Sequence, residues 1–449
     1  MIPTAEHYWL KNVHVPASVL SLNDSSVTAQ QTGEGLCLMD LEIAEGNIVQ
    51  IITADACDTG ETPSVNLRGG QVWPCFVDMH THLDKGHIWT RSPNPDGTFD
   101  SALEAAKIDS QQYWQAEDVY RRMEFGLKCS YAHGTQAIRT HIDSFGQQAE
   151  ISLEVFKALQ KAWCEQLILQ PVSLVTLDYY QTPEGVALAD KIAEYKGILG
   201  GVAFMNPDLD AQLDTLFSLA KERNLNLDLH TDENNDPNSI CLQKVAAASI
   251  RHEFTGQIVC GHCCSLAVQE PNVVKKTLDL VKQAGIGIVS LPMCNLYLQD
   301  RKPNTTPRWR GVTLLNELKQ YGISVAVASD NCRDPFYGFG DHDVLEVFTQ
   351  SVRIAQLDMP YGDWPCAVTK TSADLMGLPN LGRINVGIPA DLILFKGRNF
   401  SELLSRPHHD RIVLRSGRPI NTVLPDYADL DDLVAIDSLG KQKRASFDY

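Results

Sequence analysis

The feature that most constrains this chain is a regular alternation, through its middle, of short apolar runs with longer amphipathic ones. The short, β-branched runs fall at Gln71–Val77, Thr135–Thr140, Leu167–Val175, Ile198–Phe204, Leu225–Leu229, Gln257–Cys260, Ile286–Leu291 and Ile323–Ala328. Each has the length of a fully buried strand and is bounded by Gly or polar residues. The stretches Val119–Ala132, Ile151–Cys164, Pro183–Tyr195, Asp210–Arg223, Ser239–Arg251, Val273–Ala284 and Thr313–Tyr321 lie between them. These place apolar residues at i, i+3 and i+4, as helices with one buried face do. Asp343–Gln356 predicts an eighth helix. Eight βα units in series, without hairpin turns, predict an α/β chain folded as a (β/α)₈ TIM-type barrel. A doubly wound sheet fits less well, because no Gly-rich dinucleotide loop follows the first strand.

The ends read differently. Tyr8–Val15 and Cys37–Ile52, around Glu45-Gly46-Asn47, look like strands, and so do Leu392–Phe395 and Arg411–Leu414. Neither end has apolar sequence enough for its own core, so one small β-sandwich built from both termini is expected. The expected division is residues 1–69 and 381–449 for that small domain and 70–380 for the barrel. The tail Lys441–Tyr449 is polar and expected to be loosely held.

Charge narrows the partners. Lys and Arg number 38 against 56 Asp and Glu, a net charge of −18. An acidic chain without a basic stripe is poorly suited to nucleic acid or to an anionic membrane. A neutral small molecule suits it better, and a homo-oligomer is compatible with the same surface. The twelve Cys are scattered, as expected of a reduced protein rather than a disulfide scaffold. Cys260 and Cys263 have the spacing of a metal or redox pair, but no second pair accompanies them. On an apolar strand they read as small packing residues. The first residues lack a basic-then-apolar leader, which predicts a cytoplasmic protein.

In such barrels the chemistry gathers at the carboxyl ends of the strands. The first strand runs into Asp78-Met79-His80-Thr81-His82, the second into His141 and Asp143, and the fifth into His230, Asp232 and Glu233. The sixth runs into His262 and the eighth into Asp330 and Asn331. Residues i and i+2 of an extended segment project to one side, so His80 and His82 can chelate one ion. Taken singly, His230 reads as a core histidine and Asp330 as a helix cap. Their joint placement at four strand ends is what points to a site. Imidazoles with one carboxylate suit Zn²⁺ or Fe²⁺ better than Mg²⁺ or Ca²⁺. His80, His82, His230 and Asp330 supply four ligands for one divalent ion, which acidifies a bound water. Glu233, three residues after His230, stands where a proton shuttle would. His141 and Asp143 read equally as a structural pair or as substrate contacts.

These residues resemble the amidohydrolase superfamily, and within it the cytosine deaminase branch. The resemblance runs from about Leu36 to Ile420. Its specific parts are Phe76 to Asp84, Arg139 to Asp143, His230 to Glu233, Gly261-His262, Asn295 to Gln299, Arg310 to Val312, Ser329 to Asn331 and Asp334 to Phe336. Gly382 to Leu392 looks like the superfamily's return into the small sandwich. The resemblance implies that His80, His82, His230 and Asp330 ligate one iron or zinc ion. It also implies that Glu233 moves protons onto the ring and the leaving ammonia, that His262 orients the attacking water, and that Asp330 accepts its proton. The implied enzyme is a hydrolase acting on C–N bonds of cyclic amidines, converting cytosine or a close analogue to uracil and ammonia.

The substrate residues depart from that branch. No Gln falls cleanly in Val175 to Gln181, where Thr176 is the nearest candidate; Asn331 follows the metal-ligand Asp; and an aromatic wall is Phe336. Ser329 to Asp334 is as similar to the N-isopropylammelide isopropylaminohydrolases, which act on N-alkylamino triazines. Three functions therefore compete: a heterocycle deaminase, a mononuclear hydrolase of another C–N bond in a triazine or cyclic amidine, and a non-catalytic barrel scaffold. A binuclear site with a carboxylated Lys is disfavoured, because the fourth strand ends Phe204-Met205-Asn206.

Overall fold

A computed structural model describes residues 2–21, 30–54, 56 and 60–434; the polar tail lies outside them. The chain divides into two compact units, residues 1–79, 130–137 and 343–423 in one and 80–129, 138–342 and 424–449 in the other.

The first unit is rich in antiparallel sheet. Asn47–Thr53, Leu36–Ala44, His7–Pro16 and Ser64–Asn66 form one four-stranded sheet in that order. Arg418–Pro419, Ile412–Arg415, Leu392–Leu394 and Val72–Pro74 form a second. Tyr8, Leu10, Leu41 and Ile43 from the beginning of the chain pack in one buried cluster with Ile384, Leu392 and Leu414 from its end. Neither terminus buries that apolar surface alone, so each depends on the other.

The second unit holds most of the βα series. Its strands, some beginning in the first unit, are Phe76–Thr81, Thr135–Asp143, Ile168–Leu174, Leu199–Ala203, Leu227–Thr231, Ile258–His262, Gly287–Ser290 and Val325–Val327. The first three make one sheet, and the last five make another whose neighbours are all parallel. Single bridges join Thr81 to Asp330, Val172 to Ile198 and Thr176 to Val202. They run from both edges of the three-stranded sheet to residues in or just beyond the outer strands of the five-stranded one. No helix among the described residues is long and apolar enough to cross a membrane.

One expected strand is in fact two. Gln71–Val77 reads as a single run, yet Val72–Pro74 pairs antiparallel with Leu392–Leu394 while Phe76–Thr81 begins the βα series. The N–H of Cys75 donates to Asp391 and that of Phe76 to Gly134. Pro74, with no N–H to give, marks the change of partner.

Close strand approach depends on Gly200. A Cβ there would lie 2.3 Å from Val172 Cγ1 and 2.5 Å from the Ser173 carbonyl. Gly200→Ala should lower unfolding stability by about 1–3 kcal/mol through overpacking, read as a lower denaturant midpoint at unchanged slope.

The segment after the first strand is anchored by buried charge. The Arg91 guanidinium makes paired hydrogen bonds with both Asp109 and Asp118. Asp118 also accepts from Arg122, and Asp109 from Trp114 Nε1 and Ser92 Oγ. Arg91, Arg122, Asp109 and Asp118 are all buried.

Candidate active site

Strand geometry brings five imidazoles and a carboxylate together. His80 lies within the first strand and His82 follows it by one residue, both on one side of the extended chain. His230 is in the fifth strand and His262 ends the sixth, one strand over. Asp330 follows the eighth strand, and its N–H donates to the His80 carbonyl, holding the two strand ends together. The Asp330 carboxylate reaches 3.2 Å from His82 Nε2 and 3.5 Å from His80 Nε2. His230 Nε2 and His82 Nε2 are 3.3 Å apart. His80, His230, His262 and Asp330 each offer a ligand atom within 4.8 Å of the others. His141 belongs to the same cluster, its ring 3.9 Å from that of His80.

All these groups are buried, and burial sets their protonation. It pushes His80, His82, His141 and His230 well below the usual histidine range, with neighbouring imidazoles, Lys85 and Arg139 pushing the same way. His262 falls to about 3, also through burial, against a hydrogen bond from Asn295. The imidazoles are neutral and present lone pairs. Among the described residues, both ring nitrogens of His141, Nδ1 of His80, His82 and His230, and Nε2 of His262 are buried without a hydrogen bond. Neutral buried imidazoles with orphaned nitrogens around a carboxylate fit a divalent ion.

Glu233 stands at the edge of this nest. Its Oε1 is 3.3 Å from His262 Nδ1 and accepts a hydrogen bond from Asn295 Nδ2 at 3.3 Å. Burial raises its carboxyl well above the usual range, and the Asp330 charge adds to this against Lys85.

Several of the positioning backbones are strained. Asp232, His262, Cys263 and Asp330 have φ between 53° and 66°, a left-handed region that non-glycine residues rarely occupy. Asp232 is also fixed by its side chain, which accepts from the N–H groups of Cys241 and Leu242 at the start of the helix Cys241–Arg251. Gly261 leaves room for His80, since a Cβ there would lie 3.0 Å from its Cε1.

A family model described as the amidohydrolase family matches residues 184–420. The chain belongs to the amidohydrolase family. It is 50% identical over 434 residues to a pterin deaminase of Rhizobium rhizogenes, covering 96% of this chain and 98% of that one. It is 23% identical over 371 residues to an N-isopropylammelide isopropyl amidohydrolase of a Pseudomonas species, covering 79% of this chain and 87% of the other. Among solved structures it matches 5-methylcytosine deaminase from Klebsiella pneumoniae liganded with 5-fluorocytosine, with a TM-score of 0.78 at 23% identity. That alignment covers 93% of this chain and 98% of the other, which shows a shared fold.

The remaining residues expected at this amidohydrolase's site divide into two groups. Asn331 donates to Asp334 Oδ2 at 2.7 Å, and Phe336 packs on Phe99 with the Lys85 ammonium 5.4 Å from its ring centre. Lys85 in turn donates to Asp143 at 2.8 Å. Burial and the Asp143 charge raise the neighbouring Asp84 to about 7. Thr176 is bridged to Val202 and only half-buried, and no described contact joins it to the imidazoles.

Two positioning features of the amidohydrolase site carry no assigned role in the sequence reading. Asn295 donates to both His262 Nδ1 and Glu233, and Gln299 donates to the Glu233 carbonyl. They are four residues apart across the end of the helix Pro292–Leu298, a spacing that puts both on one face. That polar pair in an apolar segment was the available signal. Arg139 donates to Asp228 at 2.7 Å, while Asp228 approaches His141 at 3.7 Å. Nothing in the local sequence pairs those two strands.

Proposed function

We infer that this amidohydrolase deaminates a small nitrogen heterocycle by hydrolysis, and that the heterocycle is a pterin. The observation that carries the substrate is the 50% identity, along almost the whole chain, with a pterin deaminase. Cytosine, the substrate implied by the sequence resemblance, gives way to the aminopteridine on that ground. The two share the reacting group, an amidine-like ring carbon bearing an exocyclic amine.

His80, His82, His230 and Asp330 would hold one ion, Zn²⁺ or Fe²⁺ by the imidazole-rich donor set. When bound, the ion supplies a water acidified toward neutrality. The chain's own groups do the rest. His262, neutral and held by Asn295, orients the water toward the ring carbon. Glu233 delivers its proton to the adjacent ring nitrogen. Asp330 takes a proton from the water, and protons pass through Glu233 to the departing amine. Water and the amine exchange, so the products are the oxo heterocycle and ammonia. His141, Thr176, Asn331 and Phe336 are the groups assigned to the substrate, the Phe336 ring as a wall for a flat heterocycle.

The frame proposed for this site is a closed (β/α)₈ barrel spanning about residues 70–380, with a small β-sandwich built from both termini. The bridges Thr81 to Asp330, Val172 to Ile198 and Thr176 to Val202 support closure. The shared core of the two ends supports the sandwich.

Ammonia release from pterin, cytosine, 5-substituted cytosines and aminotriazines tests the reading. The expected result is a kcat/KM for pterin at least about tenfold above the others, the discrimination that roughly 1.4 kcal/mol provides. Preference for cytosine would overturn the pterin assignment, and amine release only from N-alkylated triazines would overturn deamination.

A further inference from the structure

We propose that His87, Cys332 and His342 form a second metal site, separate from the catalytic ligands, that holds a thiophilic divalent ion such as Zn²⁺ and ties together three loop segments. One ligand atom from each residue lies within 4.8 Å of the others, and all three residues are buried. His87 Nε2 and His342 Nε2 are 3.2 Å apart. Two nitrogens on a tetrahedral zinc, with Zn–N near 2.0–2.1 Å, are held about 3.3 Å apart. His87 Nδ1 is buried without a hydrogen bond among the described residues.

The backbone supports the same reading. His87 and His342 have φ of 64° and 55°, both in the left-handed region. The N–H of His87 donates to the Cys332 carbonyl at 3.2 Å, so the loop after the first strand is already fastened to the loop after the eighth. His342 comes from a third segment, just before Asp343. An ion bound by all three side chains would add a cross-link where the described residues show no regular secondary structure.

The donor set selects the ion. Two imidazoles and a thiolate suit Zn²⁺ and exclude Mg²⁺ and Ca²⁺, which take oxygen ligands. Cys332 ligates an ion as its thiolate. Binding therefore replaces the thiol proton by the ion and releases that proton to solvent. The Arg122 and Arg333 charges act on His87. Those cations oppose a second positive charge, and the thiolate formed on binding offsets them. No residue of this set belongs to the His80 group, so the inference does not depend on the proposed activity.

The test uses the full chain loaded with Co²⁺ and, separately, with Zn²⁺. Cobalt at the His80 group has no sulfur ligand, so a near-ultraviolet thiolate-to-cobalt band reports only on a cysteine-ligated ion. The expected result is that band together with a second equivalent of cobalt, both lost in Cys332→Ser while the first equivalent stays bound. X-ray absorption on the zinc-loaded wild-type protein should show a sulfur neighbour at about 2.3 Å, which needs no variant to fold. Absence of both the sulfur neighbour and the band overturns the proposal, and so does a band that survives Cys332→Ser. A single ion carrying the band would support this site and overturn the proposed catalytic one.

Discussion

Glu233→Gln is expected to keep the ion at the His80 group and to lower kcat about 10²–10⁴-fold, the range for loss of a placed proton-transfer group. The amide preserves the shape of the side chain and can still contact Asn295 and His262, each 3.3 Å from the present Oε1. What it cannot do is give up and regain a proton. Burial, with the Asp330 charge reinforcing it, raises the wild-type carboxyl well above its ordinary range and so favours the proton-bearing form. Steady-state kinetics and metal analysis on the same preparation check the outcome. Full activity would remove Glu233 from the reaction, and loss of the ion along with activity would make it a structural residue.

Arg91→Met carries the largest expected effect on stability, a loss of about 3–5 kcal/mol, because it strips the partner from a buried charge network. Asp109 and Asp118 would remain buried with, among the described side chains, Trp114, Ser92 and Arg122 to receive their charge. The loss should read as a lower denaturant midpoint. It also has a pH signature. Burial pushes Asp118 up, but Arg122 and Arg91 together outweigh it and hold the carboxyl below its ordinary value. A depressed carboxyl contributes stability that is complete above its unfolded pKa, about 4, and is lost as pH falls through the lowered folded value. The wild-type protein should therefore lose stability on acidification below about pH 4. Arg91→Met should lose less over that window, having lost part of the contribution already. Equal acid sensitivity of the two proteins would show that Arg91 does not set the Asp118 charge.

The βα series was legible because a strand buried on both faces must be apolar along its whole length, and Gly or polar residues have to end it. The His80, His82, His230 and Asp330 positions were legible because in a βα series the chemistry-bearing residues gather at the carboxyl ends of the strands. Elements that depend on partners were harder. The helix Phe99–Tyr113 is mostly polar, with only Ala102, Ala106 and Asp109 buried, so its apolar stripe is too thin to read. The change of sheet between Pro74 and Phe76 depends on Asp391 and Gly134, far away in sequence. His141 could be read as a structural or a site residue, and its ring proves to lie against His80. Which strand is neighbour to which decides that contact, and a linear pattern of apolar residues does not encode it.

Gly261 offers a way to retune the ion proposed for the His80 group without touching a proposed ligand. It sits opposite His230 in the parallel register, and its missing side chain is the space beside the His80 ring. A methyl group there would press on Cε1 and Nδ1 of His80 from the sixth strand. The imidazole would turn while all four donors remained chemically intact. A library confined to this one position could therefore sample different bond angles at the ion, and with them different preferences between zinc and iron. Selection for metal exchange would then act on the space beside the His80 ring, leaving the reactive groups untouched.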